Sequence, residues 1–419
     1  MRGYDAAVAP RFAQSRRRGR QQGRAGRPLP TALLLSGGFI VAADGRVAAP
    51  LLPAIANDFR VSIGATGLTV ALYALAYAVG QVFYGPLGDR VGRVRVIRVV
   101  LMIFAVSSML CAAAPTYPVL LALRLTTGLA AAAVIPMSLA HLGDTVDGYA
   151  SRQKAIGVFL SAIVSGQVLG QAIGGILAAA LSWRAIFVLI GALGLGLAAA
   201  TWACSAPVPT GGPVRRQSFG QILASDRRLF LVTTAETFLF LGIFPFAASS
   251  LVEEHGASYP LVGALSVLFA VGSIAASRLL PRLAANATDA ARVGCGAAVM
   301  AGGFGTVAMR PRAMLFGAAV LLLGVGFTTA HSALQARTTE VSPGRRGTAV
   351  ALFAGLASAS AALGTFAGGA TVDRFGFATT FAAAAVGLVL LAGIGPWMLR
   401  VRGALSAPAP TPRPAAIEP

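Results

Sequence analysis

Apolar runs long enough to cross a membrane, divided by short polar stretches, repeat along nearly the whole chain. About twenty apolar residues in helical form span the hydrocarbon of a bilayer. The runs predict helices over 31–54, 63–86, 95–114, 117–140, 154–180 and 184–205, then 228–252, 260–283, 290–309, 312–337, 346–372 and 376–399. The first run closes on Leu52-Pro53-Ala54-Ile55-Ala56-Asn57-Asp58-Phe59, and Ala114-Pro115-Thr116-Tyr117 leads from the third directly into the fourth. Pro207 to Arg228, with Gly211, Gly212 and Pro213, is the longest internal break and marks a linker between halves. The expected organisation is a disordered basic arm over 1–28, one six-helix bundle over 29–205, a linker over 206–227, a second bundle over 228–400 and a disordered tail over 401–419. Arm and first run together imitate a signal peptide. The run continues past Asp44 and Arg46 to Leu52, which suits a retained spanning helix.

Composition supports the membrane reading. The 419 residues are 56% hydrophobic and 11% charged, with a mean hydropathy of +0.75; a soluble chain of this size could not solvate so much apolar sequence. The formal charge of +20 invites a nucleic-acid partner. Its distribution argues against one, because the arginines cluster between the apolar runs. Of 34 Lys and Arg, 27 fall in the two termini and in every second loop. Only Arg60, Arg184, Arg310, Arg312 and Arg374 fall in the opposite loops. That asymmetry sets both termini and the linker in the cytoplasm of a multi-pass plasma-membrane protein. Cys111, Cys204 and Cys295 are scattered and form neither a disulfide framework nor a metal site. No phosphate-binding Gly-rich Lys-Ser/Thr loop occurs, so no nucleotide or other cofactor is expected, and transport energy would come from an ion gradient.

Between the second and third runs stands Gly85-Pro86-Leu87-Gly88-Asp89-Arg90-Val91-Gly92-Arg93-Val94-Arg95. This stretch resembles the loop between helices two and three of the major facilitator superfamily, Gly-x-Leu-x-Asp-Arg-x-Gly-Arg-basic. Gly85, Leu87, Asp89, Arg90, Gly92 and Arg93 match, while Val94 stands where a second basic residue is usual. The resemblance implies an all-α integral membrane protein with twelve transmembrane helices in two pseudo-symmetric six-helix bundles, and a loop that acts as a conformational latch. Asp89 is expected to face the start of the eleventh helix, around Arg345, Arg346 and Gly347.

An offset of 194 residues aligns Arg152 with Arg346, Phe159 with Phe353, Gly170 with Gly364, Gly174 with Gly368, Gly175 with Gly369 and Phe187 with Phe381. The fifth and eleventh helices therefore look like copies, as in parallel-repeat transporters. The fifth helix carries Gly166, Gly170, Gly174 and Gly175, similar to the antiporter pattern Gly-x-x-x-Gly-Pro-x-x-Gly-Gly, with Gln171 in place of proline. Small residues at this spacing let helices approach closely. The fourth helix carries Leu120-x-x-x-Arg124-Leu125-Thr126-Thr127-Gly128, similar to the superfamily's buried-arginine motif with Thr127 in place of glutamine.

An arginine inside an apolar helix costs about 2.5–3.5 kcal/mol on insertion scales, so Arg124 calls for a carboxylate partner. Asp44 lies at similar depth on the first helix. Asp44, Arg124 and Glu236 are the candidates for proton coupling; Glu236 lies equally well at the membrane interface, and His331 reads as a packed histidine. Arg46, Tyr73, Tyr77, Gln81, Gln167 and Gln171 are candidates for the substrate cavity. With the glycine motif, the first two helices resemble the twelve-helix drug:proton antiporter family. That resemblance implies a monomer that exports small apolar or amphipathic compounds against protons, and no enzyme activity. Uptake or exchange of a small organic anion held by Arg46 and Arg124, and a transporter-like sensor or scaffold, are the alternatives.

Overall fold

The computed structural model describes residues 29–146, 148–180, 182–204, 219–283, 287–341 and 346–400. All regular structure among them is helical. Among the described residues, ten helical stretches are long and apolar enough to cross a membrane. The first half contains α1 (Thr31–Val47), α2 (Leu52–Phe59), α3 (Ile63–Thr66), α4 (Leu68–Val91), α5 (Arg93–Ala112), α6 (Tyr117–Thr145), α7 (Tyr149–Ala180) and α8 (Trp183–Ala203). The second half contains α9 (Phe219–Ser225), α10 (Arg227–Leu239), α11 (Pro245–His255), α12 (Tyr259–Leu283), α13 (Asp289–Ala308), α14 (Ala313–Val341) and α15 (Arg346–Arg400).

The helix ends follow local chemistry. Ser182, Asp226 and Thr288 cap α8, α10 and α13 by accepting from the amides of Ala185, Leu229 and Ala291. Such caps satisfy donors that a helix start leaves open. Pro118 and Pro245 sit in first turns, where a missing N–H costs nothing.

Three elements differ from the expected spans. The charged motif is not a loop: α4 runs through residues 85–91, and the turn into α5 is Gly92 alone, at φ 101°. That backbone region favours glycine. The seventh expected span is broken between α10 and α11. Gly242 there meets Gly364 so closely that a Cβ would lie 2.5 Å from the Gly364 Cα, and Pro245 begins the next helix. The last two expected spans merge in α15, interrupted at Gly376, where φ is 81°. Counting the broken α10–α11 and dividing α15 at Gly376 makes ten spans consistent with twelve. The linker expectation falls partly on 205–218, outside the described residues, and the rest begins α9 and the first residue of α10.

Two apolar cores form, one from residues 29–204 and one centred on 222–399. The repeated glycines pack equivalent helices in each. A Cβ on Gly166 or Gly170 would strike the backbone of Phe39 or Ala43 on α1, and one on Gly364 would strike that of Phe238 on α10. Gly175 meets Gly263 of α12, and Gly369 meets Gly64 of α3, across the two halves.

Candidate functional site

At one end of the molecule the halves are sealed together. Gly64 and Gly369 touch backbone to backbone; a Cβ on Gly64 would lie 2.1 Å from the Gly369 carbonyl oxygen. Asp373 of α15 accepts hydrogen bonds from the Ser62 hydroxyl at 2.5 Å and the Gly64 amide at 2.8 Å. The Tyr117 hydroxyl donates to the Ala65 carbonyl at 2.5 Å beside it. Neither Asp373 nor its partners stood out in the sequence, because the bond joins residues more than 300 apart.

Inward from this seal lies an ion pair with no solvent access. Arg124 Nη1 is 2.9 Å from Asp44 Oδ2, and both side chains are 0% exposed. The guanidinium is held on several sides. Its Nε donates to the Thr69 carbonyl and Nη2 to the Asp44 carbonyl, both at 3.4 Å. The Tyr73 ring lies 4.4 Å and the Phe187 ring 5.3 Å from its central carbon. Rings placed this way attract a cation through their π faces. Asp44 Oδ1, also buried, has no hydrogen-bond partner. Thr127, one turn below Arg124, places its hydroxyl 3.0 Å from Ser107 Oγ.

The other cavity candidates divide. Tyr73 is buried, stacks on Tyr77 at 6.3 Å and donates to the Val41 carbonyl at 3.3 Å. Tyr77, Gln81 and Arg46 are half-buried, and Gln171 is buried. Gln167 is exposed and stands apart from the Arg124 cluster. Arg46 has no ion-pair partner among the described residues.

A second buried pair lies in the other half. His331 Nδ1 of α14 is 3.0 Å from Glu236 Oε2 of α10, with side-chain exposures of 21% and 0%. The Glu236 side chain is thus enclosed within the protein. Glu236 Oε1 has no partner. Phe327 stacks on the imidazole at 4.6 Å and Phe353 tilts against it at 5.1 Å. Sequence reasoning left Glu236 and His331 separate; the signal that could have joined them is that each interrupts an apolar run in the same half.

At the opposite end from the seal, Arg93 donates to the Ala140 carbonyl at 2.8 Å and pairs with Asp144, tying the Gly92 turn to the end of α6. Gly88 lies against Met137, while Leu87 and Arg90 are exposed. The expected contact of Asp89 with Arg345, Arg346 and Gly347 lies outside the described side chains. Among the described residues no cluster of three metal-ligating side chains occurs.

The family model of the Major Facilitator Superfamily matches residues 34–302 and 229–418. YceJ, an uncharacterised transporter of Bacillus subtilis, is 28% identical over 254 residues, covering 58% of this chain and 64% of that protein. LfrA, a multidrug efflux pump of Mycolicibacterium smegmatis, is 34% identical over 151 residues, 36% of this chain and 30% of the pump. The chain thus matches less than two thirds of the length of either relative. Among solved structures, a bacterial homologue of the human lysosomal transporter Spinster, inward-facing and occupied, superposes with a TM-score of 0.76 at 20% identity. That match covers 88% of this chain and 96% of the other. A D-xylose–proton symporter gives 0.70 at 17% identity, covering 87% and 96%. These relatives and neighbours are transporters, not enzymes. The chain is a multi-pass membrane protein and belongs to the major facilitator superfamily.

Proposed function

We propose that the protein exports small apolar or amphipathic compounds across the plasma membrane in exchange for protons, and that Asp44 and Arg124 couple the two. The observation that carries this reading is the sealed Asp44–Arg124 pair with one carboxylate oxygen unpaired. A buried ion pair gives little net stability, but removing one partner strands the other charge at a cost of about 3–5 kcal/mol. A proton arriving on Asp44 neutralises the carboxylate and frees the guanidinium; its departure restores the pair. The pair is therefore an element with two states that a proton selects. Roughly 3.7 kcal/mol accompanies one proton that crosses 100 mV and one pH unit, enough for a several-hundred-fold substrate gradient.

The excess of Arg in alternate loops supports cytoplasmic termini, an orientation in which the Ser62–Asp373 seal would face outward. In that orientation the outer side is closed with the pair formed, and residues 29–205 and 228–400 rock as two bundles of a monomer. Tyr73, Tyr77, Gln81 and Gln171 line the path in the first bundle, with the glycines of α7 setting its packing on α1. The Gly85–Arg93 segment acts as the inner latch. The match to a multidrug efflux pump supports export of drug-like compounds.

Overexpression in a pump-deficient host tests this: resistance to lipophilic antibiotics or ethidium should appear, and should be lost with the Asp44→Asn variant and with a proton uncoupler. Resistance that survives Asp44→Asn overturns the coupling site. Arg46, half-buried and without an ion-pair partner among the described residues, favours a second reading, exchange of an organic anion. Counterflow of small carboxylates that Arg46→Gln abolishes would select it.

A further inference from the structure

We propose that Glu236 and His331 form a second proton-binding site, in the C-terminal bundle, independent of the Asp44–Arg124 pair. Its place in a transport cycle rests on the reading above; the binding of the proton does not.

The two pairs occupy matching positions in the two halves. Asp44 is on the first spanning helix of its half and Arg124 on the fourth. Glu236 is on the first of the second half and His331 on the fourth. Each acid is 0% exposed, each bonds its base through one oxygen, and each leaves the other oxygen without a partner. The difference is in the base. An arginine is always charged, so the first pair holds its charge without help. A histidine gains and loses a proton near neutral pH. The second pair is therefore electrically balanced only while it holds one proton, whichever of the two atoms, Glu236 Oε2 or His331 Nδ1, carries it. Without that proton a carboxylate faces a neutral ring in an apolar core, which is unfavourable.

The surroundings leave the proton no other home. Among the described residues, His331 is the one titratable side chain within hydrogen-bond distance of Glu236. On α10 itself, Asp226, Arg227 and Arg228 lie at the far end, at least eight residues and so about 12 Å away along the axis. On α14, Arg337 pairs with Asp226, and Glu340 lies beyond it. From α15, Phe353 lies against the imidazole and Ser360 meets Thr237, and neither is charged. The neighbouring hydroxyls are committed elsewhere: Thr233 donates to the Leu229 carbonyl, and Thr237 lies 2.5 Å from Ser360 Oγ.

The route is built in as well. Glu236 has no exposed surface, whereas His331 is 21% exposed, so a proton reaches the carboxylate through the imidazole. Phe327 stacks on the ring and Phe353 tilts against it, and these contacts hold Nδ1 on the carboxylate. The transfer balances simply: a proton from water binds the outer nitrogen, and the Nδ1 proton passes to Glu236 Oε2.

The test needs no substrate. The purified full chain in weakly buffered detergent is titrated from about pH 5 to about pH 9, a range around the ordinary histidine value. The isosteric double variant Glu236→Gln/His331→Gln should release at least one proton fewer than the unaltered protein. A double variant that folds and releases as many protons as the unaltered protein overturns the proposal. A second measurement uses the unaltered protein alone. The chain has three histidines, so 15N-histidine labelling gives few signals. The one lost in His331→Gln should change protonation state within the range, with a midpoint that moves in Glu236→Asp. A His331 signal fixed across the range also overturns it. Both measurements stand if Asp44 proves not to couple transport, and a failure of that reading would show only in flux.

Discussion

The Ser62–Asp373 seal makes a quantitative prediction. Asp373→Ala removes the carboxylate that accepts from Ser62 Oγ at 2.5 Å and from the Gly64 amide at 2.8 Å. These are the polar bonds that tie α15 of the second half to the start of α3 in the first. Hydrogen bonds to a charged group contribute about 1.5–3 kcal/mol each when shielded. Asp373 is exposed, so the lower end applies, and the two together are worth about 2–3 kcal/mol. At 1.4 kcal/mol per tenfold, the ratio of molecules closed to molecules open at this end should fall by about 30- to 150-fold. The loss falls on the closed state alone, because in the open state Asp373 and the Gly64 amide are both solvated. Spin labels on Asn57→Cys and Phe375→Cys, both exposed positions at the sealed end, report the separation by double electron–electron resonance in a background without Cys111, Cys204 and Cys295. Asp373→Ala should populate a longer distance, and Asp373→Asn, which keeps one acceptor oxygen, should do so less. An unchanged distance distribution in a folded Asp373→Ala protein would show that backbone packing alone holds the seal.

Gly64→Ala should open the same end, since its Cβ would lie 2.1 Å from the Gly369 carbonyl oxygen; the same label pair should show the longer distance even with Asp373 intact. Gly170→Ala would place a Cβ 2.4 Å from the Ala43 carbonyl oxygen and should destabilise the protein by about 1–3 kcal/mol through overpacking of α7 on α1. Thermal unfolding in detergent checks it, with Gly143→Ala as the contrast: nothing lies within 4 Å there, so that variant should be neutral or up to about 1 kcal/mol more stable from helix propensity.

Much of this architecture is legible in the chain because a membrane enforces simple rules. Apolar length marks the spans, and a charge within one stands out, which is how Asp44 and Arg124 came to be paired candidates. The glycines of α7 were legible for the same kind of reason: spacing by four puts Gly166, Gly170 and Gly174 on one face, and all three meet α1. What the sequence did not disclose are relations that depend on register between distant helices. Glu236 lies eight residues inside a span with no exceptional apolar character, and its enclosure depends on where α10 breaks. That break follows from the approach of Gly242 to Gly364, and a sequence shows each glycine without its neighbour. The charged motif was misjudged as a loop because its polarity suggests water, whereas helix continues to Val91 and only Gly92 leaves helical geometry. Gln167 and Gln171 look alike in the chain, yet a four-residue step and slight helix rotation leave one exposed and the other buried.

The central claim is that protonation of Asp44 drives export. Purified protein in liposomes with an imposed pH gradient, acid on the side to which the substrate moves, tests it with a compound to which overexpression gives resistance. Unaltered protein should accumulate the compound against its gradient. Asp44→Asn should fail to accumulate it while still exchanging labelled for unlabelled compound at equal concentrations, because the substrate path remains and only the proton-selected element is lost. Accumulation by Asp44→Asn at the unaltered rate would contradict the account and move the coupling site away from the Asp44–Arg124 pair.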